Sequence, residues 1–170
     1  VVQWTTGNVA RQSVRAILGR TDLQLVGAYA RSSEKAGLDV GELCGLDGRI
    51  GVTATSDVAM LLALDPDCIV YSPLHLDPDE LAGLLRAGVD VVTTAEMMTG
   101  SALGADVRDG LRQAALDGGA TLFGSGMNPG FAQLLAGVAA GISSGVRKVT
   151  VSESVDVAEF VGDANFAAMG

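Results

Sequence analysis

Four short segments carry the side chains best suited to chemistry, and each follows an apolar run typical of a buried strand. Thr5-Thr6-Gly7-Asn8-Val9 follows the first run, and Ser72-Pro73-Leu74-His75 follows a later one. Thr94-Ala95-Glu96 and Gly124-Ser125-Gly126-Met127-Asn128 follow two more. Because the carboxyl ends of parallel strands meet at one edge of a sheet, we expect these segments to surround a ligand.

Glu96 is the carboxylate best placed for proton transfer. It follows an apolar strand and precedes Met97 and Met98, and partial desolvation would raise its pKa toward the useful range. The alternative is a helix-capping or surface glutamate. His75, the only histidine, is either a site residue or polar surface. Asn128 either orients a ligand or begins a helix.

The turn from Thr5 to Ala10 is a degenerate form of the G-x-G-x-x-G turn that binds the diphosphate of a dinucleotide. Gly7 takes the position of close backbone approach, Ala10 takes the helix–strand packing position, and Thr5 replaces the first glycine. Backbone N–H groups at the start of the helix would face the diphosphate. The alternative is a plain strand–turn–helix joint. The residues predicted to bind the cofactor here are Thr5, Thr6, Gly7, Asn8 and Val9.

The second predicted strand ends at Tyr29-Ala30 without the Asp or Glu that NAD-specific sites place there. Arg31, with the hydroxyls of Ser32 and Ser33, suits a 2′-phosphate through charge-assisted hydrogen bonds. Otherwise Arg31 is a solvated loop charge. The pattern favours NADP as the cofactor and leaves NAD possible. The further residues predicted to bind it are Lys35 beside the phosphate and, toward the nicotinamide, Ser72, Pro73, Leu74, Thr94, Ala95 and Asn128.

The elements that must position these segments alternate between short apolar strands and helices. The predicted strands are Val1 to Trp4, Leu23 to Ala30, Val52 to Thr55, Cys68 to Tyr71, Val89 to Thr93 and Ala120 to Phe123. The predicted helices are Asn8 to Leu18, Asp57 to Leu64, one capped by Asp77 with Pro78 first and Glu80 in a capping box, and Ala105 to Leu116. The alternation predicts an α/β fold of the Rossmann type, with a doubly wound parallel sheet.

Beyond Gly130 the pattern changes. Phe131 to Ile142 is apolar nearly all round, which predicts a buried helix. Lys148 to Val157 alternates, as a strand of an open antiparallel sheet does. We therefore expect a dinucleotide-binding domain over 1–130, and over 131–170 an interdomain helix and the beginning of a second α+β domain with a mixed open sheet. The pocket residues of that domain would lie largely past Gly170.

Composition excludes several classes of protein. The chain has 170 residues, 48% of them hydrophobic, which suffices for one full domain. A formal net charge of −9 argues against a nucleic-acid partner. No apolar run approaches the roughly 18 residues of a membrane helix, and no leader pattern opens the chain, so we expect a cytoplasmic protein without a membrane partner. Cys44 and Cys68 lack the spacing of metal ligands, and no metal site is predicted.

Three segments together carry a resemblance to a known family. Val-Val-Gln-Trp-Thr-Thr-Gly-Asn-Val opens the chain, Tyr-Ala-Arg-Ser-Ser-Glu-Lys follows the second strand, and Gly-Ser-Gly-Met-Asn-Pro-Gly-Phe lies near the domain boundary. The combination resembles the dihydrodipicolinate-reductase-like branch that includes 2,4-diaminopentanoate dehydrogenase and the native amine dehydrogenases, most of all its mycobacterial members. The His-His, Lys and Ser-Gly-Thr motifs of true dihydrodipicolinate reductases have no match here, and the Asn-Pro-Gly motif favours the amine dehydrogenase side.

The resemblance implies an NAD(P)-dependent oxidoreductase that transfers hydride between nicotinamide and a CH–NH2 or C=N substrate. It also implies that Glu96 holds the amine or iminium, that Asn128 lies beside the nicotinamide, and that the second domain completes the pocket of a homodimer. Two alternatives stay open. One is an NADP-dependent reductase of a cyclic imine or carbonyl that needs no ammonia. The other is a non-catalytic dinucleotide-binding sensor, because fold alone does not decide function.

Overall fold

A computed structural model of the chain describes residues 1–95, 99–152 and 154, apart from the side chains of Asn128 and Pro129. The chain forms two compact units, Val1–Ser125 and Gly126–Gly170, and each is described by itself. All strands found in the described residues belong to the first unit.

The first unit is built on a parallel sheet of six strands. Their bounds are β1 Val2–Trp4, β2 Gly27–Tyr29, β3 Ala54–Thr55, β4 Cys68–Tyr71, β5 Asp90–Thr93 and β6 Leu122–Gly124. In space they follow the order β3-β2-β1-β4-β5-β6. The order reverses between β1 and β4, which is the arrangement of a doubly wound Rossmann sheet. The predicted fold is therefore confirmed.

Helices connect the strands and cover both faces of the sheet. Their bounds are α1 Asn8–Leu18, α2 Val40–Leu43, α3 Val58–Leu62, α4 Pro78–Arg86 and α5 Ala105–Gly118, with α6 Ala132–Gly141 in the second unit. On one face Trp4 and Tyr71 pack against leucines of α4, including Leu81 and Leu85. On the other face Val14 and Ile17 of α1 form a second core. Burial on both faces explains why the strands read as short, nearly continuous apolar runs.

The predicted helix starts are confirmed at two aspartates. Asp57 accepts hydrogen bonds from the N–H groups of Ala59 and Met60, and so caps α3. Asp77 caps α4 in the same way, with Pro78 in its first turn. Side-chain caps of this kind satisfy backbone donors that lack a partner within the helix.

The second strand is shorter than the predicted Leu23 to Ala30. β2 covers Gly27–Tyr29, and its register pairs Gly27 with Val2, the first residue of β1. Before Gly27 the two segments remain adjacent, because the N–H of Val26 donates to the carbonyl oxygen of Val1 at 2.9 Å. The apolar run predicted a longer strand because it reports burial, whereas the bounds of a strand depend on its backbone pairing.

Two expectations concern the second unit. The helix predicted over Phe131 to Ile142 is present as α6, but none of its residues is buried and Leu134 and Val138 are more than half exposed. Of the predicted strand from Lys148 to Val157, the described residues 148–152 and 154 form no strand, and the others lie outside the described part.

None of the helices in the described residues has the length and hydropathy to cross a bilayer.

Candidate functional site

The residues that follow the strands form a continuous row along the carboxyl edge of the sheet. Each donates its backbone N–H to the last carbonyl of the neighbouring strand. The donor–acceptor pairs are Thr5 to Tyr29, Ala30 to Thr55, Ser72 to Trp4, Thr94 to Tyr71 and Ser125 to Thr93, at 2.7–3.4 Å. These bonds extend the pairing of the sheet by one residue, so the predicted segments after β1, β4 and β5 do lie side by side.

Thr5 lies at the centre of this row, at the switch point, in a conformation that favours glycine. Its φ is +80°, in the left-handed region that a β-branched residue rarely adopts. The Thr5 hydroxyl donates to the carbonyl oxygen of Ser72 at 3.1 Å, across the gap between β1 and β4. This bond helps to hold the turn that the first glycine of the motif provides elsewhere.

Gly7 is the N-cap residue of α1, and the space where a side chain would lie is open. Its φ of −82° is ordinary for any residue, and a Cβ built on it meets no heavy atom within 4 Å. Among the described residues no side chain caps α1, and its first turn contains no acidic residue. Ala10 is fully buried, as its predicted packing position requires. The residues present thus fit a bound anion such as a diphosphate, because backbone donors and the helix dipole meet an open cradle.

Gln3 is a buried polar residue bonded to this row at Ser72, and the sequence analysis did not predict its role. It is fully buried in β1, and its Nε2 donates to the Ser72 hydroxyl at 2.9 Å and to the carbonyl oxygens of Trp4 and Val70. Its Oε1 is buried and accepts no hydrogen bond within the described residues. A polar residue inside an apolar strand was the available signal, since buried polar groups are retained where they are bonded.

The Ser72 hydroxyl faces the protein interior. It accepts from Gln3 and donates to the carbonyl oxygen of Trp4 at 3.2 Å. Pro73 is half-buried, and Leu74 and Thr94 are exposed along the edge. Ala95 is buried, and its N–H donates to the Thr93 hydroxyl at 3.0 Å. Around Ser72 the surfaces open to a ligand are therefore Pro73, Leu74 and Thr94.

At the predicted adenosine end, all four predicted residues after β2 are exposed. The Arg31 guanidinium lies 3.2 Å from Oε1 of Glu80. Ser32 supports the local turn, because its hydroxyl accepts from the N–H of Glu34 and its carbonyl from the N–H of Lys35. Ser33, the fourth residue of the predicted set, is exposed like the other three. Arg31 therefore forms an ion pair with Glu80 and is not an isolated loop charge.

Glu80 does not form the predicted capping box. Its carboxylate accepts from the Trp4 indole N–H at 3.0 Å and from the Tyr71 hydroxyl at 2.7 Å. The N–H of Asp77, which a capping-box glutamate would bind, donates to the Tyr71 hydroxyl. Burial raises the pKa of Tyr71, and the hydrogen bond to Glu80 adds to the rise, so the phenol remains a donor. Trp4 also stacks on Tyr29, with ring centroids 4.2 Å apart.

Two predicted site residues cannot be placed by the described part of the chain. Glu96 lies outside the described residues. Asn128 belongs to a short π-helical turn, Met127–Phe131, of the second unit, and its side chain is not among those described. Their roles remain predictions.

A cavity of about 350 Å³ lies between α5, the segment 99–103 and the residues around the start of β6. Apolar side chains such as Leu111, Leu116 and Leu122 form much of its wall. None of the predicted site residues lines it, so the cavity is separate from the row at the carboxyl edge.

Comparison with known proteins agrees with the resemblance seen in the sequence. No family model matches the chain. The chain is 39% identical over 137 residues to an amine dehydrogenase of Streptomyces virginiae, covering 76% of this chain and 38% of that protein. It is 42% identical over 64 residues to 4-hydroxy-tetrahydrodipicolinate reductase of Synechococcus elongatus, covering 38% of this chain and 23% of the reductase. The predicted resemblance is confirmed.

Solved structures agree. The amine dehydrogenase from Mycobacterium smegmatis superposes with a TM-score of 0.68 and 31% identity, over 74% of this chain and 38% of that one. GenD2 from gentamicin A biosynthesis, in complex with NAD, shares the fold at 20% identity and a TM-score of 0.54, over 73% of this chain and 33% of its own. Synechocystis biliverdin reductase, in complex with biliverdin and NADP+, shares the fold at 21% identity and a TM-score of 0.57, over 81% of this chain and 39% of that one. The chain thus spans about two fifths or less of the length of these relatives.

Proposed function

Because the chain is related to the amine dehydrogenases, we propose that it forms the cofactor-binding part of an NAD(P)-dependent oxidoreductase acting on a CH–NH2 or C=N group. One observation carries this proposal. In a chain 39% identical to an amine dehydrogenase, the glycine-capped start of α1 and the row around Thr5 lie together at the switch point of a Rossmann sheet. Open α/β sheets bind their ligands at this place.

We propose which part of the dinucleotide lies against the residues of this row. Gly7 and the first turn of α1 would hold the diphosphate by backbone N–H groups. Pro73, Leu74 and Thr94 would line the nicotinamide end, with Asn128 added from the Asn-Pro-Gly motif. Arg31 and its neighbouring hydroxyls favour a 2′-phosphate, because the first charged residue after β2 is a cation. NADP is therefore the proposed cofactor, with NAD also accepted.

The proposed reaction converts a protonated amine, oxidised dinucleotide and water to a carbonyl compound, ammonium, reduced dinucleotide and a proton. Bound nicotinamide supplies hydride exchange. Glu96 would hold the cationic nitrogen of the substrate and accept a proton from it. The bond from the N–H of Ala95 to the Thr93 hydroxyl anchors the backbone directly before Glu96. A small amine, imine or carbonyl compound is the proposed substrate.

The test is a panel of amines with NAD+ and NADP+, and of carbonyl compounds with NADH and NADPH plus ammonium, read by absorbance of the reduced nicotinamide. We expect turnover in both directions and dependence of carbonyl reduction on ammonium. Glu96→Gln should lower kcat for deamination at least about 100-fold, the lower end of what a positioned acid or base contributes. A full rate with an unchanged pH profile in Glu96→Gln would contradict the role of Glu96.

A second candidate is reduction of a cyclic imine without ammonia. The 42% identity over 64 residues to a 4-hydroxy-tetrahydrodipicolinate reductase favours it. The same panel separates the two activities, since a cyclic imine already contains its C=N bond. Reduction of cyclic imines at a rate independent of ammonium, without amine oxidation, would support this second candidate against the first.

A further inference from the structure

The Glu80 carboxylate is held in place from the protein interior. Trp4 and Tyr71, the two side chains that donate to its Oε2, are both fully buried. The Glu80 side chain itself is only 17% exposed. Two neutral donors fix the position of the carboxylate and do not neutralise its charge, so the cation that pairs with it in the described part of the chain becomes important.

That neighbour is Arg31, whose side chain is 60% exposed. Its Nη2 lies 3.2 Å from Oε1 and 3.3 Å from Oε2 of Glu80. Among the described residues, no other hydrogen bond of its side chain is seen. A guanidinium has five N–H donors, so most of them face solvent at the carboxyl edge. Arg31 is thus available to a ligand, but its charge is partly neutralised by the Glu80 carboxylate, whose position is fixed by Trp4 and Tyr71.

This pairing bears on the choice between the two dinucleotides. NADP carries a dianionic 2′-phosphate where NAD carries a hydroxyl, and only the phosphate gains strongly from an uncompensated guanidinium. A carboxylate within ion-pair distance of that guanidinium repels the phosphate and competes for its donors. We propose that Glu80 is a specificity-determining residue, which neutralises Arg31 and so restrains the preference for NADP. This inference rests on the proposed dinucleotide cofactor.

The test is direct measurement of Kd for NAD+ and NADP+ with the whole chain, wild type and variants. Glu80→Gln keeps an acceptor for Trp4 and Tyr71 but removes the charge. It should tighten NADP+ binding about five- to tenfold, the size expected for one charge near a phosphate in a partly exposed site. NAD+ binding should stay within about twofold. Tryptophan fluorescence, which reports only Trp4, checks that the site is intact.

Arg31→Gln completes a double-mutant cycle. In the wild-type background it should weaken NADP+ binding about threefold, and in the Glu80→Gln background at least about tenfold, because the freed guanidinium then contributes its full charge. Asp79→Asn removes a charge from the same turn of α4 and is the matched control, with both affinities unchanged. Arg31 is exposed, so its variant keeps the test informative even if Glu80→Gln does not fold.

Three results would overturn the role of Glu80. The first is an unchanged ratio of the two affinities in Glu80→Gln. The second is a loss of NAD+ binding in that variant, which would make Glu80 a ribose ligand. The third is a tenfold loss of NADP+ binding in Arg31→Gln alone. If the wild-type chain binds neither dinucleotide, the proposed cofactor fails and the inference fails with it. Binding of both with an unaltered ratio would overturn the inference alone.

Discussion

Gly7 is needed by neither the backbone nor the packing of the protein itself. Its φ of −82° suits any residue, and its missing side chain would point into open space. The opposite holds for Thr5, where the φ of +80° costs about 1–2 kcal/mol in a residue with a Cβ. For folding alone, glycine would be the better residue at position 5, and a residue with a side chain, such as threonine, would be tolerated at position 7. The observed arrangement is explained if the space at Gly7 belongs to a ligand.

Gly7→Ser should therefore separate stability from binding. Serine is a better N-cap than glycine by a few tenths of a kcal/mol, so the free energy of unfolding should be unchanged or slightly raised. The added side chain fills the proposed diphosphate cradle, and Kd for NADP+ should rise at least about tenfold, or 1.4 kcal/mol. Calorimetric titration and urea denaturation measure the two effects.

The control for this variant is Gly83→Ala, a glycine of α4 that also faces open space. It should stabilise the helix by up to about 1 kcal/mol and leave Kd unchanged. Equal dinucleotide affinity in Gly7→Ser and the wild type would show that no diphosphate lies against this turn.

At the scale of elements, the backbones of α4 and α5 come into close contact at Gly118. A Cβ there would overlap the carbonyl oxygen of Leu85 and lie 3.0 Å from Cα of Arg86. The next residue, Gly119, adopts the left-handed conformation typical of a helix end, with φ +67°. The reason for the first glycine is different, because it is the backbone of another helix that excludes a side chain.

Gly118→Ala should destabilise the chain by about 2–3 kcal/mol, because the two helices must separate or strain. Gly110→Ala, in the same helix at a position with open space, should instead stabilise it by about 0.5–1 kcal/mol. Urea denaturation midpoints give both values. Similar midpoints for the two variants would mean that the helices adjust without cost.

The segment between α2 and β3 depends on one buried carboxylate, Asp39. The N–H groups of Ile50, Gly41 and Gly51 donate to it at 2.8–3.0 Å. These bonds, led by that from Ile50, hold the pKa of Asp39 below its ordinary value although burial acts in the opposite direction. The fold favours the ionised form of Asp39, so protonation of this carboxyl weakens the hydrogen bonds that hold the segment.

Asp39 should therefore contribute to the loss of stability in acid. A depressed pKa in the folded state gives a contribution that is present above the ordinary value of about 3.9 and is lost as pH falls through the folded value. Asp39→Asn should lower Tm at pH 7 by several degrees and flatten the fall in stability below about pH 4. Thermal denaturation from pH 2 to pH 7 measures both.

Asp47→Asn is the control for this pH dependence, since Asp47 is an exposed carboxylate of the same segment. It should keep the acid limb of the wild type. Parallel acid limbs for Asp39→Asn and the wild type would exclude Asp39 as a source of the acid sensitivity.

At the scale of the whole molecule, the proposed cofactor would touch the ends of several strands at once. A ligand that binds only the folded chain stabilises it by mass action, by about 2.7 kcal/mol at a concentration 100 times its Kd. For a chain of 170 residues this raises Tm by roughly 5–10 °C.

We expect such a rise with NADP+, read by circular dichroism, and little change with inorganic pyrophosphate at matched ionic strength. The difference arises because pyrophosphate occupies the start of α1 and lacks the adenosine and nicotinamide ends. An unchanged Tm at millimolar NADP+ would contradict dinucleotide binding by this chain.

The sequence alone was sufficient for the class of fold, the bounds of α1 and β4, and the set of segments at the carboxyl edge. Each of these follows from local information, namely apolar periodicity, capping residues and the strand–helix alternation that permits a parallel sheet. The resemblance in three motifs likewise led to the amine dehydrogenases, which comparison confirmed.

Only the tertiary structure decided which side chains meet across that edge. Glu80 fits a capping box in the sequence, but Trp4 and Tyr71, 76 and 9 residues away along the chain, draw its carboxylate toward the sheet. Gln3 and Ser72 pair across 69 positions. Such bonds depend on strand order and register, which no window of sequence contains. The physical reason is that local patterns report burial, whereas the partner of a buried polar group is chosen by the packing of distant segments.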